Sequence, residues 1–288
     1  MTGKIVLQSN AGAVRKPDIL KAFKGAGVEF GDTVMIHSRL FSLGTPAEIR
    51  ERSELTDVFL SSALEAAGDA GTLLFPTFTF SFCKTGLFDA RQTKSEMGLL
   101  TEEARKRPGA LRTLHPIYSA AILGRDAKRF FRADTGTCFG QNSLFDLLHR
   151  ENEKSGRVKF LSIGVAFPPT VFTHVHYVEE TVGVPYRYHK TFKGEVVADG
   201  RRIPARTRFY VRDLETPTDF DGEACWDLWR EAGIASVAEL GDSWVCVVAE
   251  KDLFDVTAKA LRQRPDFLCR GGYRPAAGAK GDDDDGEA

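Results

Sequence analysis

The stretch SELTDVFLSSALEAAGDAGTLLFP, residues 53–76, joins two periodicities in one run. Ser53 is a capping residue type, and Leu55, Val58, Phe59 and Leu64 recur at three- and four-residue spacing. That stripe predicts a helix from about Ser53 to Ala67 that buries one side. Gly68 and Gly71 break it, and Thr72-Leu73-Leu74-Phe75 follows, closed by Pro76. An apolar run without alternation reads as a strand covered on both faces. A helix feeding such a strand is the repeating unit of an α/β fold.

The same unit recurs on either side. Pro17 opens a helix over Asp18–Lys24, closed by Gly25 and Gly27, and Thr33–His37 reads as a short buried strand. Leu99–Arg107 is helical and stops before Pro108-Gly109, and Tyr118–Leu123 is strand-like. Asn142-Ser143 caps an amphipathic stretch, Leu144–Arg150, and Val158–Gly164 is a third strong strand. Asp199-Gly200 signals a hairpin between Glu195–Ala198 and Arg202–Val211. Trp244–Val248 reads as strand and Asp252–Gln263 as helix. The alternation predicts an α/β three-layer sandwich with a mixed, largely parallel central sheet. No repeat or linker divides the chain, so residues 1–276 read as one domain. Residues 277–288, rich in Gly, Ala and Asp, read as a disordered acidic tail.

Composition narrows the function classes. The net charge of −1 gives no field for nucleic acid or an anionic membrane surface. Lys280, Asp282–Asp285 and Glu287 contribute −4 of it, so the rest of the chain is only mildly basic. No apolar run approaches the ~18 residues of a membrane span. The five cysteines, Cys83, Cys138, Cys225, Cys246 and Cys269, are odd in number and show no Cys-x-x-Cys pair. They read as reduced thiols of a cytoplasmic protein.

Chemistry concentrates in Thr173-His174-Val175-His176-Tyr177-Val178-Glu179-Glu180. Two imidazoles and two carboxylates in an apolar, aromatic segment are expensive to bury without a task. On a helix, His176 and Glu179 stand three apart on one face. A carboxylate beside an imidazole fixes its tautomer and raises its basicity, as a general base requires.

Several segments together resemble the aminoglycoside 3-N-acetyltransferase family, enzymes that acylate an amino group from acetyl-CoA. The first is His37-Ser38-Arg39-Leu40-Phe41-Ser42-Leu43-Gly44. The second is the strand ending Pro76-Thr77-Phe78-Thr79. The third runs from Met97-Gly98 to Pro108-Gly109-Ala110-Leu111-Arg112-Thr113-Leu114-His115-Pro116, with Thr113 where the family has Ser. The fourth is Thr173-x-x-His176-x-x-Glu179, and Pro265-Asp266-Phe267-Leu268 closes the series. The resemblance spans roughly residues 15 to 270.

It implies an acetyltransferase domain that uses acetyl-CoA as cosubstrate, acts on a small-molecule amine and leaves room for a homodimer. His176 becomes the base, Glu179 its orienting acid, and Thr77 a donor to the oxyanion. His37, Ser38, Arg39, Ser42, Leu43, Gly44, Met97, Gly98, Arg112 and His115 become the cofactor side. Arg39, Lys94, Arg105 and Arg112 are the candidate cations for its phosphates. Thr79, Glu180, Tyr186 and Arg187 become the acceptor side. Two departures shape the acceptor. The loop before the dyad is Ala166-Phe167-Pro168-Pro169, and the segment after it, Val184–Lys190, is basic and aromatic. A cleft for a polycation should be acidic. The pattern therefore looks closer to members that acylate amino sugars for surface glycans, where Arg187 and Lys190 would meet a nucleotide or phosphate.

Three rivals are weighed against this. A zinc hydrolase would use His174 and His176 with Glu179 or Glu180. It requires a strand, because on a helix the two rings diverge by about 200°. Arg230-Glu231-Ala232-Gly233-Ile234-Ala235 resembles the pyrophosphate signature of another N-acetyltransferase superfamily. That signature should open a helix, whereas here it closes one and Gly233 reads as its C-cap. A sugar-binding module would use the aromatics of Phe78–Phe82 and Tyr186–Tyr188, which alternate as strand residues do. Among the other histidines, His149 reads as solvated, and His189 as either a substrate contact or a loop residue. Trp226 and Trp229 read as core, and Asp219, Asp221 and Glu223 as a solvated helix start.

Overall fold

A computed structural model describes residues 3–165, 172–214, 216 and 218–274. The first half contains β1 (Ile5–Ser9), β2 (Gly12–Arg15), α1 (Lys16–Gly25), β3 (Thr33–Ser38), β4 (Thr45–Pro46), α2 (Arg52–Ala67) and β5 (Thr72–Pro76). It continues with α3 (Phe82–Thr85), β6 (Leu87–Asp89), α4 (Leu99–Lys106), β7 (Leu111–Arg112), β8 (Ala120–Gly124) and α5 (Ala127–Phe131). The second half contains α6 (Leu144–Ser155), β9 (Val158–Ile163), α7 (His174–Val182), β10 (Arg187–Ala198) and β11 (Arg201–Arg212). It ends with α8 (Gly222–Glu231), β12 (Ser236–Leu240), β13 (Ser243–Ala249) and α9 (Glu250–Gln263).

Seven strands form the central sheet in the order β12-β13-β9-β3-β5-β8-β7. The three central strands run parallel, β3 pairing with β9 on one side and β5 on the other. The flanking strands join antiparallel. The expected mixed sheet is therefore present, parallel at its centre.

Strand periodicity explains why the middles of these runs are apolar. Val34, Ile36, Leu73, Phe75, Leu161 and Ile163 face one layer, packed with Phe23 of α1, Phe59 of α2 and Leu100 of α4. Met35, Leu74 and Phe160 face the other, packed with Phe145 of α6, Val178 of α7 and Leu261 of α9. Successive side chains point to opposite faces, so each strand supplies both cores, and its polar residues fall mostly toward the ends: Thr33, His37 and Ser38 of β3, Thr72 of β5, Lys159 and Ser162 of β9.

Local boundaries differ from expectation where side-chain type misleads. Helix α2 begins at Arg52 after Glu51, with no side-chain cap, so Ser53 lies inside it. Ser143 does cap α6, accepting from Asp146 N. The hairpin is longer than expected: β10 begins at Arg187 and pairs with β11 from Arg187↔Arg212 to Ala198↔Arg201. Its turn uses Asp199 and Gly200, both at positive φ, as a two-residue hairpin turn requires. In the run Arg187–Gly194 only Tyr188 and Phe192 are apolar, and Lys190 between them masks the alternation. The N-terminal hairpin β1–β2, β4 and β6 were not foreseen, being two to five residues long. The expected acidic tail, 277–288, lies outside the described residues.

Gly44 owes its identity to packing. It sits at φ +139, and a Cβ there would lie 2.6 Å from Gln8 O on β1. Gly44→Ala is expected to destabilise the protein by roughly 2 kcal/mol or more. Urea unfolding checks this, and an unchanged midpoint would show that the turn tolerates a side chain.

Candidate active site

Parallel strands place their carboxyl ends on one edge, where α/β proteins build sites. Here β3 ends in His37-Ser38, β5 in Pro76 and β9 in Ile163, each leading into a loop. The loops are tied together. Ser42 Oγ donates to Arg39 O and to Gly164 O. Gly164, at φ +63, passes so close that a Cβ would lie 2.7 Å from Arg39 O.

A cavity of about 490 Å³ opens at this edge, lined by His37, Ser38, Arg39, Phe41, Pro76, Met97, Gly98 and Val165, among others. Five of the residues expected on the cofactor side, His37, Ser38, Arg39, Met97 and Gly98, thus share one cleft. Ser42, Leu43 and Gly44 do not line it. Leu43 is fully buried, and Ser42 and Gly44 hold the loop in place. The cleft floor continues to the dyad helix through His37, whose Nε2 lies 3.4 Å from Thr173 Oγ1 and whose ring packs edge-on against Phe172. Burial pushes the His37 imidazole down to about 4.

The His/Glu segment is a helix, α7, preceded by Thr173. His176 Nδ1 lies 2.6 Å from Glu179 Oε2. Tyr186 Oη donates to Glu179 Oε1 at 2.7 Å, and Arg187 Nε lies 2.9 Å from Oε2. Glu179 is fully buried, whereas about a quarter (26%) of the His176 side chain is accessible, between Phe139 and Phe220. His176 does not line the 490 Å³ cavity; it stands one helical turn beyond Thr173.

Burial alone would raise the Glu179 carboxyl, but Arg187 and His176, with the hydrogen bonds from His176 and Tyr186, outweigh it and hold it below its ordinary value. Glu179 is therefore ionised. A carboxylate oxygen 2.6 Å from a ring nitrogen requires a proton between them. Nδ1 thus carries the proton and Nε2 presents its lone pair. The Arg187 Nη2 contact with Nδ1, at 3.0 Å, is then electrostatic rather than a hydrogen bond. Burial and the Arg187 charge push His176 below its usual value despite Glu179, so the ring is neutral near pH 7.

Several expected site residues occupy other places. Tyr186 and Arg187, expected on the acceptor side, are buried and turned onto Glu179. They support the carboxylate because it would otherwise be an unpaired buried charge. Thr77 is fully buried, with its hydroxyl 2.9 Å from Ser119 Oγ and within reach of Arg112 Nε at 3.2 Å. Arg112 spreads its donors over Thr77, Ser119, Ala90 O and Thr93 O and packs over Phe88, which leaves no face for a phosphate. His115 Nδ1 accepts from Ile117 N and Tyr118 N, and its Nε2 meets Thr137 O at 3.1 Å. Thr79 Oγ1 donates to Pro116 O. These four residues brace the loop after β5 against the loop before β8. Arg105 is paired with Glu102, while Arg39 and Lys94 are exposed. Glu180 pairs with His189 at 3.3 Å.

The helical turn also separates the two rings of the zinc-hydrolase alternative. His176 meets Glu179, whereas His174 Nε2 meets Glu250 Oε1 of α9 at 2.8 Å. His149, expected to be solvated, meets the same oxygen at 2.7 Å. Glu250 lies 101 positions along the chain from His149, so nothing local announced it. Residues 230–235 span the C-terminal end of α8, with Gly233 at φ +68, so no pyrophosphate loop opens a helix there. The loop 166–169 lies outside the described residues.

Comparisons with known proteins bear on the family and the fold. A sequence model of the family described as Aminoglycoside 3-N-acetyltransferase matches residues 35–262. The Aminoglycoside N(3)-acetyltransferase VII of Streptomyces paromomycinus is 25% identical over 234 residues, 73% of this chain and 75% of that protein. The crystal structure of aminoglycoside acetyltransferase AAC(3)-Xa superposes with a TM-score of 0.73 at 21% identity, covering 89% of this chain and 94% of that one. The structure of AAC-IIIb with CoASH superposes at 0.71 and 16% identity, covering 87% and 97%. The protein is therefore an N-acyltransferase. Within that class the chain belongs to the aminoglycoside 3-N-acetyltransferase family. Among the described residues no helix is long and apolar enough to cross a membrane.

Two buried neutral imidazoles give a pH signature. His37 and His115 are each pushed down to about 4 from an ordinary 6.5. The unfolded chain binds more protons than the folded one between those values, so stability is lost as pH falls from 6.5 toward 4. The loss is on the order of 3 kcal/mol per residue. Urea titrations at stepped pH check this, and a flat stability through that window would contradict the burial of both rings.

Proposed function

We propose that the protein transfers an acetyl group from acetyl-CoA directly to an amino group of an aminoglycoside or related amino sugar, with His176 as general base. The observation that carries this is the arrangement of His176: a neutral ring, its Nδ1 anchored on ionised Glu179, its Nε2 free to take a proton. Acetyl-CoA enters as substrate. The family's chemistry and the CoASH held by AAC-IIIb support that assignment. The cleft of His37, Ser38, Arg39, Met97 and Gly98 reaches toward the dyad helix through the His37–Thr173 contact. Exposed Arg39 and the amides at the start of α4 suit its phosphates.

An amine is mostly protonated at neutral pH and nucleophilic only when it loses a proton. The neutral amine attacks the thioester carbonyl carbon, and His176 Nε2 accepts the proton that the attacking nitrogen then loses. As the carbon–sulfur bond breaks, the imidazolium returns that proton to the departing thiolate. Glu179 stabilises the imidazolium formed in between. None of the five cysteines suits acylation: burial raises every thiol, four are buried, and only Cys83 is partly accessible.

His176→Ala is expected to lose ~10²-fold or more in kcat/KM, the usual worth of a positioned base. Glu179→Gln loses less, because a neutral amide still orients the ring. Near-wild-type turnover in the His176 variant, measured by thiol release, would remove the dyad from the reaction.

The acid limb of kcat/KM should fall below the ordinary 6.5 of histidine, since His176 is lowered by burial and by Arg187. Arg187→Gln removes a positive neighbour and moves that limb to higher pH. A limb that stays put would mean another group titrates.

For the acceptor, the phosphate-handle reading rested on Arg187 and Lys190; Arg187 now serves Glu179, and Lys190 lies over the Phe192 ring. Turnover of free aminoglycosides should exceed that of nucleotide-linked amino sugars in a side-by-side panel, and the reverse order would favour glycan biosynthesis.

A further inference from the structure

We propose that His149, His174 and Glu250 form a binding site for a divalent transition metal, zinc by donor chemistry. The three side chains come from α6, α7 and α9 and meet at one point. Both imidazoles address the same oxygen, Glu250 Oε1, at 2.7 and 2.8 Å. Their ligand atoms all lie within 4.8 Å of one another. Two imidazoles and one carboxylate are the donor set of three-ligand zinc sites that keep a fourth position open. Zinc bonds of about 2.0–2.2 Å place neighbouring ligand atoms roughly 3.3 Å apart in tetrahedral geometry. The two imidazole–carboxylate separations need to open by only ~0.5 Å, and the two imidazole nitrogens already lie within 4.8 Å of each other.

Hydrogen bonding alone leaves the cluster incomplete. Glu250 is fully buried, yet its Oε2 has no hydrogen-bond partner. Among the described residues no Lys or Arg side chain is paired with it. Lys251 beside it turns to Asp255 instead. A cation held by the carboxylate engages that second oxygen and neutralises a charge that otherwise rests on two rings. Access exists on one side. His149 is partly exposed and, with Glu250, Asn152 and Glu153, borders a cavity of about 590 Å³. Exposed Glu153 lies 4.0 Å from His149 Nε2, the ring nitrogen turned away from the cluster, where a carboxylate steadies a ligating imidazole.

The site would act on structure rather than on the acyl group. Helix α7 carries His174 on one side and His176 on the other, two residues apart. A metal joining α6, α7 and α9 fixes the helix that presents the base, a positioning role.

The test uses the full chain stripped with a chelator and titrated with zinc chloride. It should bind one zinc per chain at micromolar or tighter Kd. At a hundredfold excess over Kd, Tm should rise by roughly 5 °C or more. Cobalt(II) in place of zinc should give the visible absorption of a tetrahedral site. His149→Ala, on the accessible side, and Glu250→Gln, an isosteric change, should each weaken binding at least tenfold. Replacing Asp282–Asp285 with asparagine should leave binding unchanged. Absence of binding at tens of micromolar zinc, or full binding in folded His149→Ala, would overturn the site.

Discussion

The site depends on one buried carboxylate. Glu179 has no solvent, and its charge survives only because His176, Arg187 and Tyr186 converge on it. Removing one partner of a buried pair typically costs about 3–5 kcal/mol, because the remaining charge stays dry. The same contact joins α7 to the first residue of the β10–β11 hairpin. The hairpin therefore does more than cover the sheet. It delivers the cation that keeps Glu179 ionised and His176 neutral, the two states that the proposed proton transfer uses.

The central sheet supplies the frame. Three parallel strands, each facing two cores, cannot slide in register without moving apolar residues off both layers. Their carboxyl ends are therefore fixed relative to one another, and so are the loops carrying His37, Thr77 and the approach to α7. Around Thr77, the network of Arg112, Ser119 and His115 is buried and internally satisfied. It rigidifies the wall of the site without presenting groups to it. A motif's resemblance to a family and the exposure of its side chains are thus separate matters: Arg112 and His115 are buried in their own network, while His37-Ser38-Arg39 borders the cleft.

Much of this was legible in the residues. The Ser53–Pro76 run gave helix, break and buried strand because its periodicities are strong and local. The three-residue spacing of His176 and Glu179 gave the pair directly. What stayed hidden depended on distance along the chain. Glu250 meets His149 and His174 across 101 and 76 positions, and no local pattern encodes that. Arg187 looked like a phosphate ligand because sequence shows charge but not direction. Once β10 is seen to start at Arg187, its side chain reaches back onto α7. Gly44 looked like a cofactor loop residue, yet its φ and the nearby Gln8 carbonyl explain it without a ligand.

The protonation state of one ring is the point on which the catalytic account stands. Nitrogen-15 NMR of histidine-labelled protein, with the His176 signals assigned against His176→Gln, reads it directly. The account predicts a neutral His176 near pH 7 with the proton on Nδ1 and a bare Nε2, titrating below the ordinary imidazole value. A ring protonated at Nε2, or doubly protonated at neutral pH, would contradict it.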